Sequence, residues 1–148
     1  MNNNNKSEIQ KAYDDVRDDK TETNWMLLEF STTKKDELQV ASTGSDGLTG
    51  LVKNLKGDSA AFGYIRMVMA NDEHSQRTKF VFLTWCGPQT PLMRKARLSV
   101  QKADVKNVIG AFSIEIAASE ISELQEENIL IQLKKAGGAN YDRQTSGY

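Results

Sequence analysis

The chain has 148 residues, with 19 lysines and arginines against 20 aspartates and glutamates, one cysteine and one histidine. That length suits one domain able to bury about two thirds of the surface its unfolded form would expose. Cys86 alone excludes an intramolecular disulfide, Cys86 with His74 falls short of the three or four ligands of a typical zinc site, and the balanced total argues against a generic nucleic-acid binder.

No apolar run reaches the length that spans a bilayer, and Met1 with its four following asparagines offers no apolar signal region, so the expectation is a cytosolic chain that is not an integral membrane protein. In chain order, residues 1–6 read as a mobile polar tail. Ser7-Glu-Ile-Gln10 reads as a capping box opening a helix, and Ile9, Ala12, Tyr13 and Val16 give it one apolar stripe. Trp25–Phe30 is a first strand and Leu38–Thr43 its partner across a polar turn. Leu48–Lys56 reads as a short helix and Ala60–Met69 as a third strand, joined to the next by the polar loop 70–76.

The strand that follows organises the chain. In Lys79-Phe-Val-Phe-Leu-Thr-Trp-Cys-Gly87, Phe80, Phe82 and Thr84 point one way and Val81, Leu83 and Trp85 the other, so both faces need cover and the strand belongs inside a sheet. From Pro91 to Phe112 the pattern is helical but split. Leu92, Ala96, Val100 and Ala103 share one side, whereas Val105, Val108, Ile109 and Phe112 fall nearly opposite, which predicts a kink near residues 99–104 that packs both halves on the sheet. Ser113–Ile116 reads as a further strand. A final helix, capped from Ser122, ends at Gly137-Gly138 and is followed by a loose tail over 138–148, which leaves 7–137 as the single domain.

Charge is unevenly placed. Residues 77–106 carry Arg77, Lys79, Arg94, Lys95, Arg97, Lys102 and Lys106 against Asp104 alone, a local +6 that leaves −7 for the rest. Such an excess fits an acidic partner, with Lys102 and Lys106 continuing the basic surface of Arg94, Lys95 and Arg97 past the bend. His74, beside Asp72, Glu73 and Ser75, does not make a hydrolase, because loop neighbours rarely converge on one reacting atom and no Gly-x-Ser-x-Gly elbow occurs. No phosphate-binding Gly-x-x-x-x-Gly-Lys loop occurs either. The residues point to no catalysis, no metal and no cofactor.

Three separated segments, Ala12–Asp19, Lys79–Gly87 and Lys134-Lys-Ala-Gly-Gly-Ala-Asn-Tyr-Asp142 with Gln144-Thr145, closely resemble the coactosins, a group within the actin-depolymerising-factor homology family. The resemblance implies an α/β, gelsolin-like fold: a central mixed, mostly antiparallel sheet of five to six strands, flanked by helices on both faces. It implies a non-enzymatic protein that binds the side of filamentous actin and interferes with filament capping, and the chain is expected to be a monomer. Lys79 matches the coactosin lysine that contributes to filament binding, with Arg77 beside it, and Lys134 and Lys135 lie where the family makes filament-side contacts. Trp85, Pro91, Leu92 and Lys95 match the pattern that opens the family's long actin-inserting helix. Ala96 and Leu98 stand where cofilin-like members have Met and Tyr, which removes bulk and weighs against tight monomer binding and severing. Two other readings use the same cations: cofilin-like monomer binding with severing, and an adaptor for acidic phosphoinositides or an acidic protein.

Overall fold

The computed structural model describes residues 3–34, 37–70 and 76–145. Met1, Asn2, Lys35, Asp36, residues 71–75 with His74, and 146–148 lie outside the described residues, and with them parts of the expected turn after the first strand and of the expected polar connection at 70–76. Helix α1 (Asn3–Arg17) is followed by β1 (Trp25–Phe30), β2 (Leu38–Gly44), α2 (Gly47–Lys53), β3 (Ala60–Ala70), β4 (Gln76–Cys86), α3 (Leu92–Val108), β5 (Ile114–Ala118) and, after a short 3-10 turn at Ile121–Glu123, α4 (Glu126–Thr145). The sheet runs β2-β1-β3-β4-β5. Every pairing is antiparallel except β4 with β5, and α3 is the crossover that a parallel pair requires.

The alternation in β4 sorts the core into two layers. Phe82 joins Met26, Leu28, Phe62 and Tyr64 under Ile9, Tyr13 and Val16 of α1 and Leu98, Val105 and Val108 of α3. Val81, Leu83 and Trp85 join Trp25, Leu27, Ile65 and Met67 against Leu51 of α2 and Ile129 and Leu133 of α4. The five strands, the helices on both faces and the interior place of β4 are as expected from the sequence.

Several boundaries differ: the second helix stops at Lys53 rather than Lys56, and the last begins at Glu126, after the 3-10 turn, rather than from a cap at Ser122. The helix expected from Ser7 begins at Asn3, so residues 3–6 are its first turn rather than a tail, and the Asn5 side chain donates to the Leu38 carbonyl of β2 at 2.8 Å. The last helix does not stop at Gly137-Gly138 but continues to Thr145, because Gly47 is the described glycine with positive φ and no left-handed cap forms at Gly137. The split helix is one unbroken α3, Leu92–Val108, with Pro91 as N-cap.

Polar groups fix the helices on the sheet. Arg66 of β3 reaches the C-terminal end of α1, where its guanidinium donates to the carbonyls of Val16 (3.0 Å), Asp18 (2.6 Å) and Thr21 (2.9 Å) and satisfies oxygens that a helix end leaves unpaired. Tyr64 donates its hydroxyl to the Ala111 carbonyl while the Ala111 amide donates to the Tyr13 hydroxyl, which ties the segment after α3 to β3 and α1. Burial pushes the Tyr64 phenol well above its ordinary range. At the other end of α3, the chain approaches the 56–59 loop so closely that a Cβ on Gly87 would collide with the Gly57 backbone, and Gln89 donates to the Gly57 carbonyl at 2.8 Å. Lys102 and Lys106 of α3 pair with Glu115 of β5 at 2.5 and 2.6 Å. Burial alone would raise the Glu115 carboxyl, but hydrogen bonds from Lys102 and Lys106 outweigh it and hold the group below the usual carboxylate range.

Two expectations follow. Arg66→Met should lower the unfolding free energy by about 2–3 kcal/mol in urea titration, since three carbonyls lose a charged donor, and Arg66→Lys should recover only part of that. A depressed folded-state pKa at Glu115 contributes stability that is present above the unfolded value of about 4.3 and is lost as pH falls through the lower folded value. Thermal melts below pH 5 should therefore show a shallower acid loss for Glu115→Gln than for the parent chain, and parallel curves would remove this contact from the acid transition.

Candidate functional site

The two apolar stripes of α3 have opposite fates. Leu98, Val105 and Val108 are buried against the sheet, whereas Leu92, Met93 and Val100 are exposed at 81%, 72% and 65%. Ala96 and Ala103 are exposed as well. At about 100° per residue, positions 92, 93, 96, 100 and 103 share one arc, with Lys95 on one flank and Arg97 on the other. Single exposed apolar residues need no explanation, but a ridge of them along one helix marks a contact surface. The expected kink was a way to bury this stripe, and the chain leaves it outside instead. Leu98 is thus a core residue at 5% exposure, so its difference from cofilin-like members bears on packing and not on the ridge.

The basic residues fall into two sets on opposite layers of the sheet, which corrects the expectation of one continuous surface. Arg94, Lys95, Arg97 and Lys102 are on α3, in the layer that also holds α1. Lys95 and Arg97 are exposed. Arg94 is half-buried with its guanidinium 4.4 Å from the Phe30 ring centre, so part of its work is packing the start of α3. Lys102 shares Glu115 with Lys106, so the expected continuation of free basic surface past the middle of α3 is compensated by a carboxylate from the next strand.

The second set is on the other layer. Arg77 and Lys79 alternate with Val81 and so point to the side that α4 covers. They sit opposite Met69 and Met67 in the β3–β4 ladder. Arg77 is exposed but Lys79 is half-buried, because it stands four residues into the strand and not at its mouth. Lys134 of α4 lines a groove with Val68, Met69, Glu127, Leu130 and Ile131, which brings it to the same end of the sheet, and Lys134 and Lys135 are exposed. Val68 and Ile131 add apolar surface there at 56% and 46% exposure. Leu92, Met93 and Val100 are the residues that reasoning from the sequence missed as surface. Leu92 and Val100 carry a signal in the stripe they share with Ala96 and Ala103, which the expected bend turns to the core, whereas Met93 stands outside that stripe.

Comparison with known proteins identifies the family and the fold. The profile of the cofilin/tropomyosin-type actin-binding proteins matches residues 2–134. Coactosin of Dictyostelium discoideum is 35% identical over 141 residues, covering 95% of this chain and 94% of that protein. The crystal structure of coactosin from Entamoeba histolytica superposes with a TM-score of 0.82 at 34% identity, over 89% of this chain and 95% of that one. The solution structure of mouse coactosin, described as an actin filament binding protein, gives 0.74 at 31% identity over 95% of both chains. With a matched profile, full-length relatives and the same sheet, the chain belongs to the coactosin group of the cofilin (ADF-homology) family of non-enzymatic actin-binding proteins.

Proposed function

We propose that the chain binds the side of filamentous actin through two contacts on opposite layers of the molecule. One is the α3 ridge of Leu92, Met93 and Val100 between Lys95 and Arg97. The other is the cationic end formed by Arg77, Lys79, Lys134 and Lys135. The observation that carries this reading is the separation itself. Two contact patches with a sheet between them cannot lie flat on one convex partner, whereas a polymer can present two subunits to them at once. The apolar ridge supplies affinity by leaving water, and the flanking cations supply orientation and rate against an acidic polymer. Arg94 and Lys102 contribute at the margin, since each is already engaged within the fold.

In this reading the chain is a cytoplasmic monomer, and its seat along the filament interferes with capping. The same cations would meet acidic phosphoinositides, so vesicles carrying them should compete with filaments. A second reading, binding of the actin monomer with filament severing, is favoured by the exposed ridge alone. It is weakened by Ala96, which leaves the middle of the ridge shallow.

Met93→Ala with Val100→Ala should leave thermal stability within about 0.5 kcal/mol, because both side chains are exposed, yet reduce co-sedimentation with filamentous actin roughly tenfold. Lys79→Ala should weaken pelleting several-fold, with a stability change below about 1 kcal/mol, and binding by the parent chain should fall as salt rises. If both variants pellet like the parent chain, neither contact exists. Filaments that shorten when the parent chain is added would replace side binding with the severing reading.

A further inference from the structure

β2 is an outermost strand of the sheet, and no described strand pairs with its free side. Its sequence, Leu38-Gln-Val-Ala-Ser-Thr-Gly44, has no charge and no proline, the usual means of blocking such an edge. Two features blunt it: an irregularity at Ala41, which the β1 register skips between Val40 and Ser42, and the Asn5 side chain, which takes the Leu38 carbonyl at the start of the strand. Beside this strand runs a groove of about 510 Å³, lined by Ala12 and Val40 and rimmed by Glu8, Asp14, Asp15 and Asp18 with Lys11 as the one cation. α1 runs in the same direction as β2, because Asn5 bonds Leu38 at one end and Arg66 clamps the helix end near Thr21 at the other, where Asn24 donates to the Gly44 carbonyl.

We propose that this groove takes an extended basic segment of a partner protein, added to β2 as a further strand with its lysines or arginines against the α1 carboxylates. Three physical points agree. The free strand edge offers backbone donors and acceptors in a row, and such edges bind extended peptides through main-chain hydrogen bonds while side chains set selectivity. From Glu8 to Asp18 the helix rises about 15 Å, the length of roughly five strand residues, so alternate side chains of a short segment can reach successive carboxylates. The rim is net negative, four carboxylates against one lysine, which attracts cations and repels the same rim on a second copy. Edge-to-edge pairing of two copies is therefore disfavoured. The surface lies on the α1–β2 side and shares no residue with the two contacts assigned to actin, so it does not depend on them.

The test uses the full chain and a fluorescein-labelled peptide, acetyl-Lys-Val-Lys-Val-Lys-Val-Lys-amide, read by fluorescence anisotropy at low salt. Saturable binding is expected. It should weaken at least fivefold for the Glu8→Gln, Asp15→Asn double variant, whose native side chains form no hydrogen bond required by the fold. It should be lost for the peptide with proline in place of each valine, which keeps the charge but cannot extend a sheet. Absence of saturable binding, equal affinity for the double variant, or equal affinity for the proline peptide would each overturn the proposal. A dimer of the unliganded chain in sedimentation equilibrium that the proline-free peptide fails to dissociate would overturn it as well, since β2 would then be occupied by a second copy.

Discussion

A strand that is apolar on both faces cannot be left with either face in water, and β4 imposes that condition on the whole molecule. Phe82 and Trp85 are each nearly inaccessible, on opposite sides. One layer, of α1 and α3, closes over Phe82, and another, of α2 and α4, closes over Trp85. Once those layers exist, the cations of β4 and of the helix after it are divided between them. Arg77 and Lys79 go with α4 by alternation, and the cations of α3 go to the other side. A basic stretch that is continuous in sequence becomes two surfaces in space, and the proposed two-subunit contact rests on that division.

Most of the fold was legible in the sequence because its signals are local. Period-two alternation in β3 and β4 and turn residues between the elements located strands and layers to within a few residues. The failures were of two kinds. At the helix ends, Ser7 and Gly137 carry the right chemistry for a start and a stop, but Asn5 finds an acceptor on β2 and the last helix continues past its glycines, so tertiary contact and helix continuity override the local signal. In α3 the periodicity showed two stripes and was silent on which one meets the sheet. Assuming that apolar residues must be buried produced a bend that the chain does not have.

The candidate site was legible in its residue types and not in its partnerships. Lys102 and Arg94 look like free surface cations in sequence, yet one meets a carboxylate on β5 and the other lies against Phe30. Neither pairing can be read from spacing, because each depends on how the crossover helix is set against the sheet, whether the strand it meets is the next in the chain, as for Lys102, or a distant one, as for Arg94. Lys79 differs for a related reason. The sequence opens the strand at Lys79, but the ladder with β3 starts at Gln76, so Lys79 lies inside it, opposite Met67, and is half-buried.

The parallel seat of β5 beside β4 obliges α3 to return along the sheet, and the chain is pinned at both ends of that passage: by the Gly87 approach to the 56–59 loop before it and by Ala111 on Tyr13 and Tyr64 after it. A rod fastened at each extremity has little freedom to pivot or slide. Its exposed side is a preset die rather than an adjustable grip, and whatever shape adjustment association requires must be made by the other molecule.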